Sequence, residues 1–154
     1  MSVSEVLSVD RVERATDAIR DKSAALRRLA ALLSEGHVRT STAQVLDVLS
    51  ARERLQSTGV GGGVAVPHGA LDSVQTHIAA LLICPDAIEF DAIDGEPVKI
   101  LFALIGPKGA PAQHLKILAR VSRLLKHADF RARLLAAPGR GDIFSMICEN
   151  EQGG

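Results

Sequence analysis

Histidine is the residue in this sequence best suited to group transfer, and one of its five histidines has an unusual local context. His68 follows the apolar run Val64-Ala65-Val66 and then Pro67, and it precedes Gly69. Because proline restricts the preceding residue to extended backbone, the run predicts a short strand that presents His68 at a sheet edge. Imidazole titrates near neutral pH and commonly transfers protons or groups. The context alone also allows a structural or merely exposed histidine.

Two further residues are of types that could assist such a transfer. His114 lies in the first turn of a predicted helix that begins near Pro111. The unpaired N–H groups and the dipole of a helix N-terminus stabilise an anion held there. Arg52 ends an earlier predicted helix, and its planar guanidinium would neutralise a phosphoryl group in a way that lysine would not reproduce. The alternatives are a histidine at the edge of a buried stripe and an ordinary surface arginine.

The glycine-rich segment 59–63 does not match a nucleotide-binding loop. A P-loop needs Gly-Lys-Ser/Thr opening a helix, and the dinucleotide fingerprint needs a third glycine or alanine where Val64 stands. A strand-like run and Pro67 follow instead. The segment therefore predicts a turn that lets backbone approach a ligand or partner closely, braced by Ser57 and Thr58.

No other pattern predicts a nucleophile or a metal site. The sequence has no HExxH, no Cys/His cluster and no Gly-x-Ser-x-Gly elbow, so we expect no metal and no cofactor. Cys84 and Cys148 lie in apolar segments and are expected to be buried free thiols. The remaining histidines rank lower as functional candidates: His37, His77 and His127.

Charge and hydropathy argue against several functional classes. The 154 residues include 18 basic and 18 acidic side chains, with no Trp and no Tyr. Nucleic-acid binding usually needs a basic excess and aromatic stacking platforms. No apolar run approaches the roughly 18 residues of a membrane span, and the N-terminus lacks an apolar signal region. We expect a cytoplasmic protein without nucleic-acid partners or direct membrane insertion.

The hydrophobic pattern predicts one α/β domain over residues 1–154, with its core at about 15–150. Ser41 and Gln44 could form a capping box, and Gly36 is placed to end the preceding helix. Leu115, Leu118, Val121 and Leu125 form the predicted buried stripe of one amphipathic helix. The predicted helices are 21–33, 41–55, 112–127, 128–137 and 141–150, and the predicted strands are 64–66, 77–84 and 98–106. Helices, then strands, then helices around one sheet predict an α/β sandwich.

The longest specific string runs from Arg52 to Gly69. It resembles the enzyme IIA domains of the fructose–mannitol class (EIIA type 2) in the bacterial phosphoenolpyruvate-dependent phosphotransferase system. The resemblance continues through residues 88–98, 101–104 and 114–115, and covers nearly the whole chain from about residue 21 to 150. Within that class the sequence is most similar to the stand-alone nitrogen-regulatory IIA proteins. It departs from the usual family pattern at Gly62-Gly63, where asparagine and a further residue are more common.

The resemblance implies a fold, a chemistry and a partner. The fold is a three-layer sandwich with a mixed sheet of about five strands flanked by helices. His68 matches the histidine that accepts a phosphoryl group from the phosphocarrier HPr or its nitrogen-branch counterpart. His114 matches the supporting active-site histidine, and Arg52 matches the arginine that helps hold the group. The expected phosphate-binding residues of the turn are Ser57, Thr58, Gly59 and Gly61.

Two functions follow from the resemblance, both of a phosphocarrier with a phosphohistidine intermediate rather than a free-standing enzyme. In the first, phosphorylation of His68 switches the binding of target proteins such as kinases or transporters. In the second, the protein passes phosphate to a sugar-transporting IIB component. The sequence carries no IIB or membrane IIC segment, which favours the regulator. A hydrolase or metal enzyme that uses both histidines is the remaining alternative.

Overall fold

The computed structural model describes residues 2–35 and 40–152, and the predicted helix terminator Gly36 and His37 lie outside them. The helices are α1 (Val3–Val6), α2 (Lys22–Ser34), α3 (Thr42–Leu55), α4 (Pro111–Leu125), α5 (Ala128–Ala136) and α6 (Arg140–Gln152), with a 3₁₀ turn at Val9–Arg11. The strands are β1 (Val12–Arg14), β2 (Gly59–Gly61), β3 (Val64–Ala65), β4 (His68–Leu71), β5 (Ile78–Ile88) and β6 (Val98–Pro107).

The six strands form one mixed sheet in the order β1-β5-β6-β3-β2, and β4 also pairs with β6. The two long strands, β5 and β6, run antiparallel through its centre. Strands β3 and β4 both run parallel to β6 at the same register offset, with Val64 opposite Ile100 and His68 opposite Leu104. They therefore form one line of chain interrupted at Val66-Pro67, because proline has no N–H to donate to a ladder.

The central strands are apolar on both faces because a separate core covers each face. Ala80, Leu82, Leu101 and Ala103 pack with α2 and α3 on one side. The alternate residues Leu81, Ile83, Phe102 and Leu104 pack with α1, α4, α5 and α6 on the other. Successive side chains of a strand point to opposite faces, so continuous apolar runs are what a doubly covered sheet requires. The predicted three-layer α/β architecture is confirmed, and the sheet has six strands where about five were expected.

Most predicted elements are present with boundaries shifted by a few residues. Ser41 caps α3, and its capping box with Gln44 is complete. Strand β5 extends beyond the predicted 77–84. The predicted stripe of α4 is wrong at Leu115, which is 67% exposed, whereas Ile117, Val121 and Leu125 are buried. Leu115 lies in the first turn, and the buried stripe follows the i, i+4, i+8 spacing from Ile117.

The N-terminal elements and two short strands were not predicted. Val3, Val6 and Leu7 are buried in the core that contains α6, although α1 is a single turn. Strand β2 consists of Gly59–Gly61, and such a composition gives no strand signal. None of the helices in the described part of the chain has the length and hydropathy of a membrane-spanning segment. Cys84 is buried as expected, whereas Cys148 is only half-buried; both are free.

Candidate functional site

His68 opens β4 at the edge of the sheet. Its direct partner on β6 is Leu104, and paired residues project to the same face, so the His68 side chain lies on the side covered by α4. The next residue, Gly69, faces α3, where a Cβ would lie 2.9 Å from Cγ1 of Val48. Glycine is thus required by close packing of α3 against β4. The chain continues past Pro67 into β4, whereas the sequence predicted a strand that ends at Val66.

The orientation of the His68 ring is fixed by its own backbone. Nδ1 lies 2.8 Å from the carbonyl oxygen of Val66. Because a carbonyl oxygen only accepts, Nδ1 carries the proton, and the lone pair of the neutral ring is on Nε2. Burial lowers the pKa of His68, and the positive charge of Arg52 lowers it further, against raising contributions from the Val66 hydrogen bond and Glu53. The ring is therefore neutral near pH 7 with Nε2 available as a nucleophile.

His114 lies beside this ring. The ring centroids of His68 and His114 are 5.4 Å apart, with an interplanar angle of 55°. His114 is in the first turn of α4, which begins at Pro111 and has no side-chain cap. Burial, with smaller contributions from His68 and His77, lowers the pKa of His114 to about 4. The second ring is therefore neutral too and can donate one N–H.

Arg52 approaches from the opposite layer. It lies in the last turn of α3, and its Nη1 donates to the carbonyl oxygen of Gln56 at 2.8 Å. That bond anchors the guanidinium at the end of the helix, where a cation also suits the dipole. Burial is the main cause of the lowered pKa of His68, and the charge of Arg52 adds a smaller contribution in the same direction. The structure thus places His68 and His114 side by side, with Arg52 close enough for its charge to act on His68.

Glu53 is a residue of this region that sequence reasoning did not single out. It is 8% exposed and accepts hydrogen bonds from the backbone N–H and the hydroxyl of Thr58, at 2.9 and 2.6 Å. Nζ of Lys22 lies 2.8 Å from its Oε1. A buried carboxylate with three donors joins α2, the end of α3 and the start of β2. An acidic residue inside an otherwise ordinary helix end carries no sequence signal of that role.

The other predicted phosphate-binding residues hold the turn in place. The hydroxyl of Ser57 donates to the carbonyl of Phe90 at 2.7 Å and accepts from the N–H of Gly59 at 3.0 Å. Thr58 and Gly59 are buried, and Gly61 has a φ of 99° at the start of a tight hairpin. The N–H and hydroxyl of Thr58 already donate to Glu53, and the N–H of Gly59 donates to Ser57. Phosphate contact by Ser57, Thr58, Gly59 and Gly61 stays a prediction.

The hairpin between β2 and β3 turns through Gly62 and Gly63, with φ values of 67° and 79°. Positive φ at both central residues is the requirement of a type I′ turn, which suits asparagine as well as glycine. The N–H of Gly62 donates to Asp94 at 3.0 Å, and together with the N–H of Glu96 it lowers the pKa of that carboxyl. The departure from the family pattern at these two glycines is therefore compatible with the same turn.

The rings of His68, His114 and His77 form a row, with His114 in the middle. His77 precedes β5, is 7% exposed, and its ring centroid lies 5.4 Å from that of His114. Sequence reasoning ranked it low because it merely precedes an apolar run. Among residues 2–35 and 40–152, no three His, Cys, Asp or Glu side chains have the geometry to hold a metal ion. Imidazole rings in such a row can donate and accept hydrogen bonds, and one of them can act as a nucleophile.

Exposed apolar side chains flank the site residues along the chain. Leu55 lies one turn after Arg52 and is 82% exposed, and Leu115 follows His114. Val60 and Ile93 are also exposed, and the N–H of Ile93 donates to the carbonyl of Gly59. Single exposed hydrophobic residues are common. Leu55 and Leu115, however, lie within three residues of Arg52 and His114 in the chain, and exposed apolar side chains beside a site are typical of a protein-binding surface.

Comparisons with known proteins identify relatives of this chain. The model of the family "Phosphoenolpyruvate-dependent sugar phosphotransferase system, EIIA 2" matches residues 5–150. A nitrogen regulatory protein of Pseudomonas aeruginosa is 35% identical over 132 residues, 86% of each chain. One of Bradyrhizobium diazoefficiens is 39% identical over 129 residues, 84% of each chain. A fructose-specific EIIA component of Haloferax volcanii is 38% identical over 104 residues, 68% of each chain.

A solved structure has the same fold. The crystal structure of nitrogen regulatory protein IIA-Ntr from Neisseria meningitidis superposes with a TM-score of 0.87 and 29% identity, covering 94% of this chain and 98% of that one. This chain therefore belongs to the EIIA type-2 family of the phosphoenolpyruvate-dependent sugar phosphotransferase system.

Proposed function

We propose that this chain is a nitrogen-regulatory IIA protein that accepts a phosphoryl group on Nε2 of His68 from HPr or a nitrogen-branch HPr-like carrier. One observation supports it above the others: Nδ1 of His68 donates to the Val66 carbonyl, which leaves Nε2 as the free lone pair. The lowered pKa keeps that lone pair available near neutral pH. The likeness to nitrogen regulatory proteins supports the assignment to this branch.

Transfer between two imidazoles needs positioning and charge neutralisation more than further covalent chemistry. Nε2 of His68 attacks phosphorus in line, a new N–P bond forms, and the N–P bond to the donor's imidazole breaks. The proton on Nδ1 stays in place, so the His68 ring gains positive charge. The Val66 carbonyl, 2.8 Å away, stabilises that charge.

Arg52 and His114 hold the equatorial oxygens of the moving group. Arg52 contributes charge and a planar fork from α3, and its anchoring at Gln56 reduces the entropy lost on binding. His114 donates one N–H from the first turn of α4, where the helix dipole also favours an anion. The exposed Leu55 and Leu115 contact the carrier as it docks.

The test is a phosphorelay that contains phosphoenolpyruvate, enzyme I and the carrier. Wild-type protein should acquire one acid-labile phosphoryl group, mapped to His68 by mass spectrometry under alkaline conditions. His68→Ala should abolish it, and His127→Ala, an exposed histidine outside the row, should not. Undiminished labelling of His68→Ala would overturn the proposal.

The second candidate is a sugar-specific IIA protein, favoured by the likeness to a fructose-specific component. A pull-down with wild type, His68→Asp and His68→Ala separates the two. Target proteins that bind according to the charge at position 68 support the regulator. Recovery of a IIB component alone, with transfer of phosphate to it, supports the sugar carrier.

A further inference from the structure

Two buried ring nitrogens beside the acceptor lack partners. Nε2 of His77 and Nδ1 of His114 are both sealed from solvent, and neither has a hydrogen-bond partner within residues 2–35 and 40–152. They belong to adjacent rings whose centroids are 5.4 Å apart, at an interplanar angle of 43°. Buried polar atoms without partners are rare and costly, so two on neighbouring rings call for an explanation.

The fold makes room for His77 in this position. A Cβ on Gly106 of β6 would lie 2.3 Å from Cδ2 and 2.4 Å from Nε2 of His77. The ring therefore packs directly on the backbone of β6, and any residue larger than glycine would displace it. Its direction is fixed by β5, since Ile78 pairs with Ile105 next to Gly106.

We infer that His77 is a positioning residue, which donates the N–H of Nε2 to Nδ1 of His114 and so leaves the single N–H of His114 on its Nε2 for the phosphoryl group. The role in transfer depends on the function proposed above, whereas the hydrogen bond itself does not. A centroid separation of 5.4 Å permits a nitrogen–nitrogen hydrogen bond of about 3 Å when the two atoms face each other. In the structure the two atoms do not yet meet hydrogen-bond geometry, so the proposed bond requires a small rotation of one ring.

The direction of the bond follows from the charge of the transferred group. A neutral imidazole has one donor and one acceptor nitrogen. If Nδ1 of His114 carried the proton, its Nε2 would present a lone pair to phosphoryl oxygens, and the two would repel. His77 must therefore be the donor and His114 the acceptor. The lowered pKa of both rings keeps them neutral, so the choice of tautomer matters.

The hydrogen bond is tested first on unphosphorylated wild-type protein labelled with ¹⁵N. A through-hydrogen-bond nitrogen–nitrogen coupling between Nε2 of His77 and Nδ1 of His114 is expected, with the proton on His77. Absence of the coupling, or a proton on Nδ1 of His114, would overturn the inference. This measurement needs no variant and no phosphotransfer.

The kinetic role is tested with His77→Phe, which keeps an aromatic ring but has no donor. The transfer rate at saturating carrier should fall about five- to tenfold, as expected for loss of one hydrogen bond, with an unchanged KM for the carrier. His77→Gln, which retains an N–H near the position of Nε2, should restore most of the rate. His127→Phe is the matched control.

The outcomes separate the two proposals. If wild type is not labelled at His68, the proposed function fails, and the coupling still decides whether the hydrogen bond exists. Equal slowing by His77→Phe and His77→Gln, or a wild-type rate in His77→Phe, would overturn the positioning role. If His77→Phe does not fold, His77→Gln and the wild-type spectrum carry the test.

Discussion

At the scale of single residues, the site is organised around one carbonyl group. The oxygen of Val66 accepts from Nδ1 of His68, while the N–H of Val66 donates to the carbonyl of Thr58 at 2.9 Å. The ring of the proposed acceptor is therefore held by the same residue that fixes the strand. Which nitrogen of His68 keeps a free lone pair is decided by this local backbone contact and not by a distant side chain.

The first prediction concerns the phosphorylated atom. The phosphorylated protein should carry phosphorus on Nε2 of His68, because Nδ1 is engaged with the Val66 carbonyl. Phosphorus–nitrogen and proton–nitrogen NMR correlations on ¹⁵N-labelled protein distinguish the two isomers. In the unphosphorylated protein the same spectra should show the proton on Nδ1. A phosphoryl group on Nδ1 would contradict the assignment.

The second prediction concerns Arg52. Arg52→Gln should lower the single-turnover transfer rate about a hundredfold, and Arg52→Lys about tenfold, because lysine retains charge without the planar fork. Arg52→Gln should also raise the pKa of His68, since removal of a nearby positive charge favours protonation. Arg54→Gln, an exposed arginine of the same helix, is the control. An unchanged rate and an unchanged His68 pKa would show that Arg52 does not act at the site.

At the scale of elements, α2, α3 and β2 meet at one buried carboxylate. Glu53 binds two donors of Thr58 and Nζ of Lys22, and that ammonium also lies 4.7 Å from the centre of the Phe90 ring. The contact sets how the chain leaves α3, one residue after Arg52. Contacts of Glu53 therefore stabilise the fold and also help to fix the position of Arg52.

The third prediction tests that junction. Glu53→Ala should lower the free energy of unfolding by about 3 kcal/mol, because it leaves the N–H and hydroxyl of Thr58 without an acceptor and Lys22 without its counter-ion. Urea titration followed by circular dichroism measures the change. Glu89→Ala, at an exposed position, should change it by less than about 0.5 kcal/mol. Equal effects of the two variants would refute the structural role of Glu53.

At the scale of the whole molecule, three half-buried or buried histidines make stability depend on acidity. The pKa values of His68, His77 and His114 are all lowered, with that of His114 at about 4 against 6.5 when unfolded. The unfolded chain therefore binds more protons between these values than the folded one. Stability falls as pH decreases through this window and not above it.

The fourth prediction gives this effect a size. Between pH 6.5 and about 4 the free energy of unfolding should fall by about 2 kcal/mol on account of His114, after allowance for its partial exposure. Urea titrations at several pH values measure the slope. His114→Gln should flatten it, and His127→Gln should leave it as in wild type. A slope unaffected by His114→Gln would show that this ring does not titrate as its burial implies.

The sequence predicted the architecture because apolar runs and helix caps are local signals. Ser41 and Gln44 marked the start of α3, and the runs that became β5 and β6 could only suit a sheet covered on both sides. The resemblance from Arg52 to Gly69 predicted His68 as the acceptor, and that assignment stays a prediction. The contacts within the site could not be predicted from the sequence. Those of the Val66 carbonyl, Glu53 and His77 depend on how the folded chain places their partners. Leu115 misled because successive steps of three residues drift away from the buried face, which follows the i, i+4, i+8 spacing from Ile117.

The strand that carries the proposed acceptor lies where the two cores of the molecule meet. His114 belongs to a helix of one core, Arg52 to a helix of the other, and His68 stands on the strand between them. A small slip of one half across the sheet would change the gap between imidazole and guanidinium before either core opened. Phosphoryl acceptance should consequently be lost on warming at lower temperatures than helix content, so that the reaction itself reports the alignment of the two cores.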